Sequence, residues 1–173
     1  MTDPFLSHQL LVLAAAAALL FAAATDVALR IVPNRATIVV ALAGAGLNWL
    51  DGTLIAALFA AALVFSGLWY FWRTGRLGGG DVKLLTACSL LVPPFAVPEL
   101  ILTTAIFGGM LALAYLALGP LVPNLAQPRS RNLLVRVWRA ESRRIRRRLS
   151  LPYACAIAAG ALFTISSPIG LPY

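Results

Sequence analysis

Six carboxylates occur in this chain: Asp3, Asp26, Asp51, Asp81, Glu99 and Glu141. Asp26 and Asp81 stand apart, because each lies at one end of a long apolar stretch. Asp81 closes Gly78-Gly79-Gly80 and is followed by Val82 and Lys83. An acid at the mouth of a membrane segment is expensive to keep and usually has a task. Two carboxylates facing each other across a water cannot both ionise easily, so the pair holds one proton between them and titrates as a unit. The ionised member takes a proton from the water, which attacks a peptide carbonyl, while the protonated member donates to the carbonyl oxygen. Such a device needs neither a metal nor a nucleophilic side chain. Cys88 and Cys155 form no C-x-x-C pair and His8 stands alone near the N-terminus, so metal-ligand spacing is absent and no cofactor is expected. Read singly, either aspartate is equally well explained as a helix cap or an interfacial acid.

The elements that must position these acids follow from composition. The chain has 173 residues, of which 61% are hydrophobic and only 12% charged, and its mean hydropathy is +0.88. A soluble domain carries about 25% charged residues, and a water-soluble core of this length has no room for so much apolar surface. The expected fold is therefore an all-α polytopic membrane bundle of about six spans, forming one domain over residues 1–173. The apolar runs place the spans near 5–27, 36–50, 53–72, 82–92, 99–118 and 152–168. The fourth is short and stops at Pro93-Pro94, with residues 95–98 a candidate extension. Alanines in the first span and Gly44 and Gly46 in the second point to close helix packing or, for the glycines, a kink. Trp69, Tyr70 and Trp72 form an aromatic belt at the end of the third. No Lys or Arg precedes the first apolar run, so a removable signal peptide is not expected.

Charge sets the orientation. All fourteen Lys and Arg residues fall after the first, third and fifth spans or at the start of the fourth: Arg30, Arg35, Arg73, Arg76, Lys83, and nine arginines from Arg129 to Arg148. The opposite side carries none. The charged side is therefore cytoplasmic and both termini face outward. Asp3, Asp51 and Glu99 then read as solvated residues of the outer turns, and Glu141 as a charge partner among arginines. Asp26 and Asp81 share the cytoplasmic end, where they converge if spans one and four are neighbours.

Three blocks carry a family resemblance. Asp26-Val-Ala-Leu-Arg-Ile-Val-Pro33-Asn34, Gly78-Gly-Gly80-Asp81-Val-Lys83 and Pro152-Tyr153-Ala-Cys-Ala-Ile-Ala-Ala-Gly160 resemble, in order, the signature blocks of the type IV prepilin peptidases, membrane aspartyl proteases of the GxGD type. Val32 replaces the usual isoleucine of the first block, and Ala154 a glycine of the third. The resemblance implies that Asp26 and Asp81 are catalytic and that the substrate is a prepilin, whose leader is cut at the cytoplasmic face of a bacterial inner membrane. The chain starts in a membrane span and lacks paired C-x-x-C motifs, so it looks like the short peptidase-only form of tight-adherence (Flp) pilus systems, without N-methylation.

Around the two acids, Gly78 and Gly80 are expected to let the loop fold tightly and to admit substrate backbone. Pro33 and Asn34 form the turn that presents Asp26. Lys83 biases the local charge, binds a substrate acid, or snorkels to the interface. In the basic segment, residues 121–150, Leu134, Trp138, Ile145 and Leu149 recur at helical spacing. This predicts a cytoplasmic amphipathic helix lying on anionic lipids through Arg129–Arg148, in preference to nucleic-acid binding. Two other readings stay open at this stage. One is a small proton-coupled transporter or channel using Asp26 and Asp81, against which no ionisable residue marks a path at midplane. The other is a non-catalytic subunit of a pilus or secretion assembly.

Overall fold

A computed structural model describes residues 4–118 and 151–167 of the chain. The 121–150 segment, with its expected interfacial helix, lies outside the described residues, as do Asp3 and Glu141. The described residues form six α-helices: α1 (Pro4–Leu29), α2 (Asn34–Leu50), α3 (Leu54–Arg73), α4 (Gly79–Leu91), α5 (Val97–Leu118) and α6 (Tyr153–Ser166). A single 3-10 turn, Pro94–Ala96, joins α4 to α5.

The interior is built from small side chains and the outside from large ones. Buried positions on α1 are Ala15, Ala18, Leu19 and Ala22, those on α3 are Ala57 and Ala61, and α6 buries Ala154, Ala156, Ile157, Ala158 and Ala161. Ile55, Phe59, Leu63, Leu102, Ile106, Met110 and Leu113 point outward and are exposed. In water such a surface would drive aggregation; in lipid, helices associate through close packing of small residues instead. Three helical stretches, Phe5–Leu29, Leu54–Arg73 and Pro94–Leu118, are long and apolar enough to cross a membrane by length and composition, and Tyr153–Ser166 is a shorter apolar helix. Helices α2, α4 and α6 have 17, 13 and 14 residues. At 1.5 Å per residue they span about 20–25 Å, less than the roughly 30 Å hydrocarbon core. Proline chemistry accounts for the shortness of two of them. Val92 is extended before Pro93, as a residue preceding proline prefers, and Pro152 precedes α6. The proposed continuation of the fourth span through 95–98 does not occur: the chain turns at Pro94–Ala96 and Val97 already opens α5.

Helices α4 and α6 occupy the centre. Val82, Leu84, Leu85, Ala87, Cys88, Ser89 and Leu91 of α4 are all buried. This helix packs against α2 and α3, and α6 packs against α1, α4 and α5. Of the two alternatives offered by the α2 glycines, tight packing is realised at Gly44. A Cβ there would land on the Leu90 carbonyl and within 2.6 Å of the Leu91 amide nitrogen. One turn on, the buried Asn48 side chain donates to the Gly44 carbonyl at 3.0 Å and to the Leu90 carbonyl at 2.8 Å, while its Oδ1 accepts from the Thr53 hydroxyl at 2.8 Å. The Leu90 carbonyl lies in the last turn of α4, where no intrahelical N–H remains to serve it, so Asn48 satisfies it and ties the two helices together. Asp51 is exposed as expected. Glu99 is not a solvated loop residue: it sits half-buried in the first turn of α5, and its Oε2 is buried without a hydrogen-bond partner. The N-terminal dipole of α5 favours an acid at that position.

Because the Gly44 contact is to backbone, Gly44→Ala is expected to lower stability in detergent by about 1–3 kcal/mol, the usual cost of overpacking. Gly109→Ala, which meets nothing within 4 Å, is expected to be neutral or slightly stabilising. Thermal unfolding of the two variants checks the contrast, and a Gly44→Ala protein as stable as wild type would refute the packing.

Candidate active site

Asp26 continues the buried stripe of α1. Positions 15, 18, 19 and 22 face the bundle, and position 26 follows one turn after 22 on the same face, so the side chain is only 7% exposed. Its Oδ2 accepts a hydrogen bond from the Ala154 amide at 3.1 Å. Ala154 is the second residue of α6, and an amide in the first turn of a helix has no intrahelical carbonyl to bind. The buried acid and the unserved donor therefore meet each other's need. Helix α1 ends directly behind Asp26: Arg30 adopts a left-handed conformation (φ 58) and its amide donates to the Asp26 carbonyl at 2.9 Å. A left-handed residue at this place closes a helix, and the extended Pro33 then starts α2.

Asp81 is the third residue of α4, after Gly78 at the cap position. Its carboxyl turns back over the cap, so that a Cβ on Gly78 would come within 3.0 Å of Oδ2. A Cβ on Gly80 would meet the Val32 side chain at 3.1 Å, and one on Gly79 the Trp72 indole nitrogen at 3.2 Å. The glycine run thus lets two neighbours close on the start of α4: the link after α1, through Val32, and the end of α3, through Trp72. The space expected to admit a substrate backbone at Gly80 is taken by Val32.

These contacts bring the two motif blocks together. Val32 lies in the Asp26 block and Gly80 immediately precedes Asp81. The two carboxyls are near enough for their charges to act on each other. Helices α1 and α4 do not achieve this by packing along their lengths; α2 and α6 each touch both and hold them in place. Lys83 donates to Asn34 Oδ1 at 3.4 Å, an exposed contact that joins the starts of α2 and α4, so three residues singled out from the sequence, Pro33, Asn34 and Lys83, meet at one corner. Tyr153, at the start of α6, is within electrostatic reach of Asp81 and packs on Gly108 of α5. Since α5 runs on from Gly108 to Leu118, it extends about 15 Å beyond this level. Among the described residues, no group of three or more His, Cys, Asp and Glu side chains gathers as a metal site requires. Sequence reasoning gave Val32 no role beyond its departure from the first block, Trp72 none beyond the aromatic belt, Ala154 and Tyr153 none beyond the Pro152 block, and Gly108 none at the site.

The Gly80–Val32 contact is open to a double-mutant test. Gly80→Ala alone is expected to lower the unfolding temperature in detergent, and adding Val32→Ala is expected to recover much of the loss, because residues in contact are not additive. Strictly additive losses would show that the two blocks do not touch here.

No curated protein and no solved structure matches the chain. A family model described as the type IV leader peptidase family matches residues 13–113, a stretch that holds Asp26, Pro33, Asn34, Gly78, Gly80, Asp81 and Lys83. The Pro152 block, which supplies the donor to Asp26, lies beyond it. The match covers more than half of the 173 residues and includes both acids with the turns that present them; the chain belongs to the type IV leader peptidase family.

Proposed function

We propose that this chain is an aspartic endopeptidase that removes the leader of Flp-like type IV prepilins, with Asp26 and Asp81 as its catalytic pair. The observation that carries this reading is the contact between the two motif blocks, where Val32, six residues after Asp26, lies on Gly80, immediately before Asp81. Water held between them loses a proton to the ionised member and attacks the scissile carbonyl. The protonated member donates to the carbonyl oxygen and, as the amide breaks, a proton passes to the leaving nitrogen. Asp26 is 7% exposed, and burial strengthens the electrostatic contacts it makes.

In this reading the six helices are six alternating spans, and the dyad lies at the cytoplasmic face of a bacterial inner membrane with both termini outside. The support is the segregation of all fourteen positive charges to one side. Antiparallel packing of α6 on α5 agrees with it, since Tyr153 meets Gly108 while Thr164, near the other end of α6, lies 3.1 Å from Thr103. A prepilin, with an apolar segment following its leader, would lie against the spans and present its leader from the cytoplasm. Arg129–Arg148 would rest on anionic headgroups. The reading assigns proteolysis alone, since the two cysteines form no C-x-x-C pair.

Co-expression with an Flp-like prepilin tests it directly. Asp26→Asn and Asp81→Asn keep size but lose the acid–base function, and each is expected to reduce leader removal by about 100-fold or more while the protein still inserts into the membrane. Undiminished cleavage in either single variant would overturn the pair.

A further inference from the structure

The three glycines before Asp81 decide from which side a peptide reaches it. On the Gly80 side the way is closed, because a Cβ there would meet Val32 at 3.1 Å. On the Gly78 side it is open. Apart from that glycine's own chain neighbours, only the Asp81 carboxyl, among the described residues, comes within 4 Å of where its Cβ would stand, and Gly78 is exposed. Gly79, between them, carries the Trp72 indole, with Nε1 3.2 Å and Cδ1 3.7 Å from its Cβ position. The carboxyl and the indole thus lie on adjacent glycines, whose Cα atoms are about 3.8 Å apart.

The end of α3 holds Trp72 in this place. Gly75 is left-handed (φ 73), its amide donates to the Trp72 carbonyl at 2.9 Å, and the Arg76 amide donates to the Phe71 carbonyl at 3.0 Å. This paired closure fixes the last helical turn, and the Thr74 hydroxyl adds a bond to the Phe71 carbonyl at 2.9 Å. Although one side of the indole rests on α4, the residue is 49% exposed. A belt at the water interface accounts for an aromatic residue at this depth. It suffices for Trp69, whose ring is covered by the Arg73 guanidinium at 5.5 Å. It does not account for an indole seated on the glycine two residues before Asp81.

We propose that Trp72 is a substrate-binding residue: the prepilin leader enters over Gly78 and lies against the exposed part of the Trp72 indole, which brings the scissile peptide to Asp81. The inference rests on the proposed peptidase reading and adds to it a side of entry and a residue outside both motif blocks. An indole suits an extended peptide, since it offers a broad apolar surface and an N–H that donates to a peptide carbonyl. A residue in this role acts on substrate affinity, whereas one that merely braces α4 acts on stability and on the placement of Asp81.

The test compares purified wild type, Trp72→Ala and Trp69→Phe in steady-state cleavage of a tryptophan-free Flp-like prepilin. Trp72→Ala is expected to raise KM about ten-fold, the scale of one lost aromatic contact, and to keep kcat. Trp69→Phe is expected to keep both. An unchanged KM in Trp72→Ala, a loss confined to its kcat, or an equal rise in Trp69→Phe would each overturn the proposal. A second measurement leaves Trp72 in place as the one tryptophan, with Trp49, Trp69 and Trp138 replaced by Phe and Asp26→Asn added to stop turnover. Titrating the prepilin should shift its fluorescence saturably, at concentrations near the wild-type KM; emission that does not move overturns the proposal even where Trp72→Ala fails to fold. Asp26→Asn alone separates this from the underlying reading. If it cleaves normally the catalytic pair fails, whereas an inactive Asp26→Asn beside unmoved Trp72 emission removes only the tryptophan.

Discussion

A carboxylate taken out of water among apolar helices costs several kcal/mol unless a donor meets it. Asp26 is in that position, at 7% exposure, and one donor that meets it is the Ala154 amide. Much of the architecture follows from keeping this one contact. The start of α6 must sit beside the last turn of α1, and α6 must be short enough to begin at that depth. Its flanks must be small enough to lie between α1, α4 and α5, and Ala154, Ala158, Gly160 and Ala161 provide this. Cys155 adds a second tie, its thiol 3.7 Å from the Ala23 carbonyl one turn before Asp26.

The same economy governs the approach of Asp81. Apolar burial does little to hold helices together when their surroundings are equally apolar, so packing and interhelical hydrogen bonds must do it. Helix α4 is held at one end by Asn48 on the Leu90 carbonyl and at the other by Val32 on Gly80, with Trp72 over Gly79. Both ends depend on positions where α4 or its neighbour has no side chain. The two acids are thus placed by separate sets of contacts, one through α6 and one through α2 and the 31–33 link.

The all-helical architecture and the helix limits were legible in the sequence to within a few residues, because apolar runs bounded by Asp51-Gly52, Pro93-Pro94 and Pro152 leave few other ways to divide the chain. Both acids were legible too, as charges at the ends of apolar runs. Their route to convergence was not. Convergence was conditional on spans one and four being neighbours, whereas α2 and α6 each touch both, and a hydrogen bond between residues 26 and 154 has no local signature. Gly80 announced a close approach but not by what, since Val32 lies in a separate block. Lys83 was read as biasing the local charge, binding a substrate acid or snorkelling, and its contact with Asn34 across 49 residues had no local signature. Glu99 was read as solvated because it stands at the start of an apolar run, and a sequence displays that place but not the contacts that half-bury the side chain.

The central claim is that the Asp26 and Asp81 blocks meet in the folded chain, and its most direct test is a cross-link. A Cβ at position 80 would lie 3.1 Å from the Val32 Cβ, a little under the roughly 3.5–4.5 Å that a disulfide spans. A V32C/G80C variant, made with Cys88 and Cys155 replaced by serine, should form an intramolecular disulfide on mild oxidation in native membranes, seen as loss of both thiols to alkylation and as the joined peptides by mass spectrometry. Thiols that stay fully free under those conditions would contradict the account.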